Sequence, residues 1–244
     1  MYRELEWDLP AGVLWTRSGA ATTGGTAGAR DSAGAETTGV VRVMPDGCID
    51  LVWADGDLFV AGPDTVAHDA PVGPTYVGVR FHPGWGPVLL GVPADELRDG
   101  RVPLDALWRS VDARRLAEAA AGAPVAALTA VVRERLHRTG PPEEIIRRLA
   151  RALGSGEAIS TTARRLAMSP RQLQRRSLAS FGYGPKTLAR VLRFDRALAL
   201  ARRGVPAARV AATTGYADQA HLAREVRALA GVPLTKLLGE PAQA

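Results

Sequence analysis

The sequence predicts an α+β chain: a small N-terminal β-barrel or sandwich with accompanying helices, then an all-α region of two helix-turn-helix units joined by a long helix. Three observations lead there. Short alternating apolar runs between Val40 and Phe81 are punctuated by Gly and Pro, as strands and tight turns require. From Ile159 to Leu238 one helix-turn-helix pattern is written twice around a continuous helical stretch. Charge divides the same way: residues 141–244 carry 18 Lys/Arg against 7 Asp/Glu, the remainder 13 against 18. A basic half behind an acidic one points to a polyanionic partner for the basic half alone.

In chain order, Leu5, Trp7, Leu9, Val13, Leu14 and Trp15 predict one or two entry strands within residues 1–17. Residues 18–39 are Gly, Ala, Thr and Ser with almost no large apolar side chain, the composition of a flexible loop. Strands are expected at 41–43, 49–53, 58–61 and 76–81, with turns at Pro45-Asp46-Gly47 and Asp55-Gly56-Asp57. Trp53, Phe59, Tyr76 and Phe81 line a pocket or fill the core. Helices follow from Ala94, over 111–121 and over 125–137. The 111–137 pair either covers the β-layer or forms a dimer surface. Pro141-Pro142-Glu143-Glu144 opens a further helix, its acids placed where the helix dipole favours them.

In the first unit Ser160 or Thr161 caps a short helix, and Ser169-Pro170 starts the second, an N-cap with proline in the first turn. In the second unit Gly215 supplies a left-handed turn and Asp218 the cap. Pro185–Arg203 is helical throughout. At about 1.5 Å per residue such a helix holds two small units side by side, which brings successive major grooves, about 34 Å apart, within reach.

These residues resemble the AraC/XylS-type DNA-binding domain over about the last 85 positions. The match is carried by Ala163, Leu166, Ser169-Pro170-Arg171-Gln172-Leu173, Arg175, Phe181-Gly182 and Pro185, then by Val210-Ala211, Gly215-Tyr216, Asp218-Gln219, Leu222, Arg224 and Gly231-Val232-Pro233. One departure is Ser177, where that family usually carries phenylalanine; Leu178 and Phe181 are the candidates to fill the gap. Upstream, Pro45-Asp46-Gly47-Cys48 and Arg80-Phe81-His82-Pro83-Gly84 resemble the cupin-like domain preceding some such DNA-binding domains. The resemblance implies a sensing and dimerisation domain over 1–140, a linker helix and hinge over 141–156, and a DNA-binding domain over 157–240. Leu173 and Leu222 point inward, which leaves Arg171, Gln174, Arg175, Gln219, His221 and Arg224 as candidate DNA contacts, and the resemblance places base contacts there too. Arginine grips guanine, and glutamine adenine, through paired hydrogen bonds. The alternative for Arg175 and Arg224 is an internal salt bridge to Asp195 or Glu225.

Enzymatic readings find little support. Cys48 lies between Asp46 and Asp50, which raise a thiol's pKa rather than activate it. His68, His82, His137 and His221 are scattered, without the pairing that a cupin metal centre uses. No catalytic residue, cofactor or metal is therefore expected, and no apolar run reaches the eighteen residues of a membrane span. The expected protein is a cytoplasmic transcription regulator. Its partners would be double-stranded DNA, a small-molecule effector, a second copy in a homodimer and, for an activator, RNA polymerase, with no membrane. The competing expectation is a small-molecule-binding or enzymatic cupin whose C-terminal domain only tethers it to nucleic acid.

Overall fold

Strand alternation organises the N-terminal half. The computed structural model describes residues 2–18, 39–71 and 75–239, so the body of the predicted 18–39 loop lies outside the described residues. The strands are β1 (Tyr2–Leu5), β2 (Gly12–Arg17), β3 (Val40–Val43), β4 (Ile49–Ala54), β5 (Asp57–Ala61), β6 (His68–Pro71), β7 (Tyr76–Phe81) and β8 (Arg101–Pro103). Six form an antiparallel sheet in the order β1-β2-β7-β4-β5-β8, and β3 pairs with β6 in a separate two-stranded ladder. Of the two forms left open by the sequence, the sandwich-like pair of sheets is the observed one.

Side chains on successive strand residues face opposite ways. Leu14, Leu51, Val60, Val77, Val79 and Phe81 enter one core with the helices α1 (Gly86–Leu90), α2 (Ala94–Leu97), α3 (Leu104–Leu107), α4 (Ser110–Gly122) and α5 (Pro124–Thr139). Leu116, Leu128 and Val132 place α4 and α5 firmly over this face. The opposite face carries Trp15, Val52, Phe59 and Tyr76.

Seven helices complete the described residues: α6 (Glu144–Ser155), α7 (Ile159–Arg165), α8 (Pro170–Phe181), α9 (Pro185–Arg202), α10 (Ala207–Thr214), α11 (Gln219–Ala230) and α12 (Leu234–Gly239). None of the described helices is long and apolar enough to cross a membrane. Helix α9 serves two cores: Leu188 and Leu192 pack with Leu166, Leu173 and Phe181, while Phe194, Ala197, Leu198 and Ala201 pack with Val210, Leu222 and Val226.

One local expectation is corrected, and α6 has a defined apolar face: its Ile146, Leu149 and Leu153 share one core with Leu173, Phe181 and Leu188. Neither Ser160 nor Thr161 caps α7, which begins at Ile159. Instead the carboxylate of Glu157 accepts hydrogen bonds from Thr162 Oγ1 (3.0 Å) and Arg165 Nε (3.2 Å), holding the first turn from outside.

The β domain docks through its turns. The Pro45–Cys48 turn rests on α9, with Gly47 beside Leu188 and Leu192. Gly84 lies against Ile146 and Phe181. At Gly182 (φ 78°) a Cβ would stand 2.5 Å from Pro63 Cγ, so only glycine allows this approach. The segment 63–67 bridges both units: Tyr183 Oη donates to the Asp64 carbonyl (2.7 Å), and the Ala67 N–H donates to the Leu229 carbonyl (2.7 Å).

The two helix-turn-helix turns use the same left-handed geometry with different residues, Gly215 at φ 80° and Ala167 at φ 51°. Left-handed backbone costs an L-residue about 1–2 kcal/mol. Ala167→Gly is therefore expected to stabilise the protein by about 1 kcal/mol in urea denaturation. A loss of stability would contradict this turn geometry.

Candidate nucleic-acid interface and interdomain cavity

Both candidate reading helices are started by side chains. Ser169 Oγ accepts from the Gln172 N–H (3.3 Å) while Gln172 Oε1 accepts from the Ser169 N–H (2.9 Å), a reciprocal capping box. At α11 the Asp218 carboxylate accepts from the His221 N–H at 2.6 Å, and His221 Nδ1 accepts from the Ala217 N–H at 3.3 Å. His221 thus occupies the position of Gln172 and does comparable work at the helix start. Its ring is half-buried and meets Tyr216 edge-on at 5.2 Å.

The other five sequence-predicted residues are exposed: Arg171, Gln174 and Arg175 on α8, Gln219 and Arg224 on α11. Leu173 and Leu222 turn inward as expected. Ser177 is also fully buried, its Oγ without a hydrogen-bond partner, while Phe181 fills the space in this core. Counting from the caps Ser169 and Asp218, Arg175 and Arg224 are equivalent. Neither makes an internal salt bridge to Asp195 or Glu225, because Glu225 is taken by Arg190 at 2.8 Å and approached by Arg193 at 3.8 Å. Arg176 pairs with Glu143 at 2.8 Å. Arg196 donates to the Gly154 carbonyl (2.7 Å) and stitches α9 to the end of α6.

A second feature lies between the sheet's free face, the β3–β6 ladder and α9: a cavity of about 520 Å³. Phe59 and Tyr76 line it, whereas Trp53 and Phe81 belong to the opposite core. Sequence reasoning missed its polar groups. Asp50 and Arg80 are polar residues alternating into the cavity face of apolar strands, and the β4–β7 register sets them directly opposite one another. Arg80 Nε lies 3.3 Å from Asp46 and 3.4 Å from Asp50, and Trp15 Nε1 donates to Asp50 at 2.7 Å. Burial pushes the Asp50 carboxyl up to about 6, against the pull of Arg80. The Cys48 thiol is driven well up by burial and then by Asp46, in line with the sequence expectation. His68 and His82 both reach this cavity, yet among the described residues no three His, Cys, Asp or Glu side chains group to hold a metal.

From α9, Asp195 and Arg202 enter the same cavity. Asp195 keeps an exposed surface, yet desolvation by the chain around it raises its carboxyl to about 6; Asp46 adds to the rise, and Arg80 and Arg202 oppose it. Its folded pKa thus lies above the ordinary aspartate value of about 3.9, so folding takes up a proton between these limits. The ionised group costs stability above about pH 6, and that cost fades as pH falls toward 4. Asp195→Asn should therefore gain less thermal stability than wild type between pH 7.5 and pH 5. An equal gain in both proteins would contradict this electrostatic picture.

Comparisons with known proteins agree with the duplicated units. Residues 162–239 match a family described as a helix-turn-helix domain, and residues 30–103 match a domain of unknown function, DUF6597. No curated protein matches the chain. A probable AraC family transcriptional regulator from Rhodopseudomonas palustris CGA009 is 20% identical, with a TM-score of 0.35, over 40% of this chain and 96% of that one. ToxT from Vibrio cholerae O395 is 9% identical, with a TM-score of 0.47, over 83% and 92%. Unsaturated fatty acid bound ToxT from Vibrio cholerae strain SCE256 is 11% identical, with a TM-score of 0.43, over 83% and 88%. Residues 162–239 thus match a helix-turn-helix domain family, and they are carried behind an N-terminal antiparallel β domain.

Proposed function

We propose that the protein is a sequence-specific DNA-binding transcription regulator that reads two successive major grooves with α8 and α11. The observation that carries this reading is the equivalence of Arg175 and Arg224. Both stand at the same turn of a capped second helix, exposed, with no ion pair to a described residue. Arg171, Gln174 and Gln219 extend the two reading surfaces, and His221 supports the second from beneath. With 18 residues, α9 spans about 27 Å, a suitable scale for units that address grooves about 34 Å apart.

In this reading the β domain ends near residue 140 and the DNA-binding domain begins with α6, whose apolar face belongs to the first unit. A small molecule in the interdomain cavity controls the protein by population shift. It touches both the β domain and α9, so it favours whichever arrangement of the two it binds better.

The test is binding of the purified chain to its own upstream DNA, titrated with salt, beside Arg175→Ala/Arg224→Ala. Each base-gripping arginine is worth about 1–3 kcal/mol of discrimination. The wild type should bind selectively and the double variant should lose on the order of a hundredfold or more. Weak binding to any duplex alike, lost by about 200 mM salt, would reduce the basic half to an electrostatic tether.

A further inference from the structure

The two candidate reading helices are mounted differently. Counting from the caps Ser169 and Asp218, the residue after each candidate reading arginine is charged and paired to a neighbouring element, with opposite signs in the two units. In the first unit Arg176 meets Glu143, the N-cap residue of α6, at 2.8 Å. The Glu143 side chain is 69% exposed, and an ion pair so open to water holds little. In the second unit the Glu225 side chain is only 19% exposed. Arg190 of α9 grips it with two prongs, Nε donating to Oε2 at 2.8 Å and Nη2 to Oε1 at 3.2 Å. Such a fork fixes orientation as well as distance. These hydrogen bonds hold the Glu225 carboxyl below the ordinary glutamate range, so the pair is charged at neutral pH.

Arg193, one turn further along α9, extends the pair. Its Nη2 lies 3.8 Å from Glu225 Oε2, and its guanidinium stacks over the Tyr216 ring at 4.5 Å. Tyr216 is buried, and its ring meets that of His221, in the first turn of α11, edge-on at 5.2 Å. Helix α9 thus holds the inter-helix turn and two successive turns of α11 through one connected set of side chains. The first unit has no counterpart to this set. Met168 follows its left-handed residue where Tyr216 follows Gly215, and Gln172 stands in the place of His221.

Apolar burial is non-directional. Leu222, Val226 and Leu229 therefore seat α11 on its core without setting small rotations about its own axis. Glu225 stands at the rim of that buried stripe, and its neighbour Arg224 projects about 100° further round the helix. A paired grip on guanine depends on that angle. We infer that Glu225, held by Arg190 and Arg193, is a positioning residue: it fixes the rotation of α11 and so sets how strictly Arg224 discriminates between bases, without touching DNA itself. This rests on the regulator reading and adds to it a specificity determinant outside the reading surface.

The full chain is titrated with its own upstream duplex and with a shuffled duplex of equal length at one salt concentration, and the ratio of the two affinities is the readout. Glu225→Gln removes the charge and keeps the shape. The ratio should fall about tenfold or more, within what one base-gripping arginine supplies. Affinity for the shuffled duplex should hold or rise, because an acid near the phosphates is gone. Arg190→Glu/Glu225→Arg should regain most of the lost ratio, which a simple loss of packing would not allow. Glu143→Gln should change the ratio by less than about threefold, as its exposure requires. Thermal melts establish that each variant is folded; if Glu225→Gln is not, Arg190→Gln, which leaves α11 unaltered, carries the same expectation. An unchanged ratio, a rise of both affinities alike, or a swapped pair without recovery would overturn the assignment. So would a loss in Glu143→Gln equal to that in Glu225→Gln. Selective binding by the wild type with an unchanged ratio in the variant removes only the role of Glu225. A wild type that binds both duplexes alike removes the regulator reading and this role with it.

Discussion

Helix α9 is buried on two sides, and most of the molecule's organisation depends on that burial. Its first half supplies Leu188 and Leu192 to the core beneath α8, and its second half supplies Phe194, Leu198 and Ala201 to the core beneath α11. Each buried leucine or phenylalanine among these contributes about 1.5–3 kcal/mol, so neither unit can turn about α9 without opening its own core. Arg190 and Arg196 reinforce the arrangement by tying α9 to Glu225 and to the end of α6. The exposed faces of α8 and α11 are consequently displayed from one rigid spine.

The β domain grips the helical units at turns rather than along a broad sheet face. Gly47, Gly84 and Gly182 mark the closest approaches, and the segment 63–67 touches the end of each candidate reading helix. Between these contacts lies the polar cavity. The two motifs that linked the N-terminal half to a known domain class, 45–48 and 80–84, are the segments that form this docking. Their composition is a requirement of the junction: left-handed turns that let backbone approach helix, and charged side chains that reach the cavity.

Local signals were legible in the residues. Ser169-Pro170, Asp218 and Gly215 each act within a few positions of themselves, and their caps and turn stand where the sequence put them. Strands β4, β5 and β7 were equally plain, because alternation is a local pattern. What escaped depends on partners distant in the chain. The strands β6 and β8 are only 4 and 3 residues long, too short to show a period. The pairing of Asp50 with Arg80 needs the β4–β7 register. The role of α6 needs the first unit's core, which draws on residues up to Leu192. Trp53 and Phe81 could have been separated from Phe59 and Tyr76 by alternation alone, since Trp53 follows Val52 of the cavity face and Phe81 shares the parity of Val77 and Val79.

Hydroxyl-radical footprinting on the protein's own upstream DNA tests the central claim most directly, because it reads the display of α8 and α11 as a pattern of protection. Two rigidly mounted reading helices predict two protected tracts on one face of the duplex, about 10–10.5 base pairs apart. A single tract, or protection spread evenly along any sequence, would contradict the account.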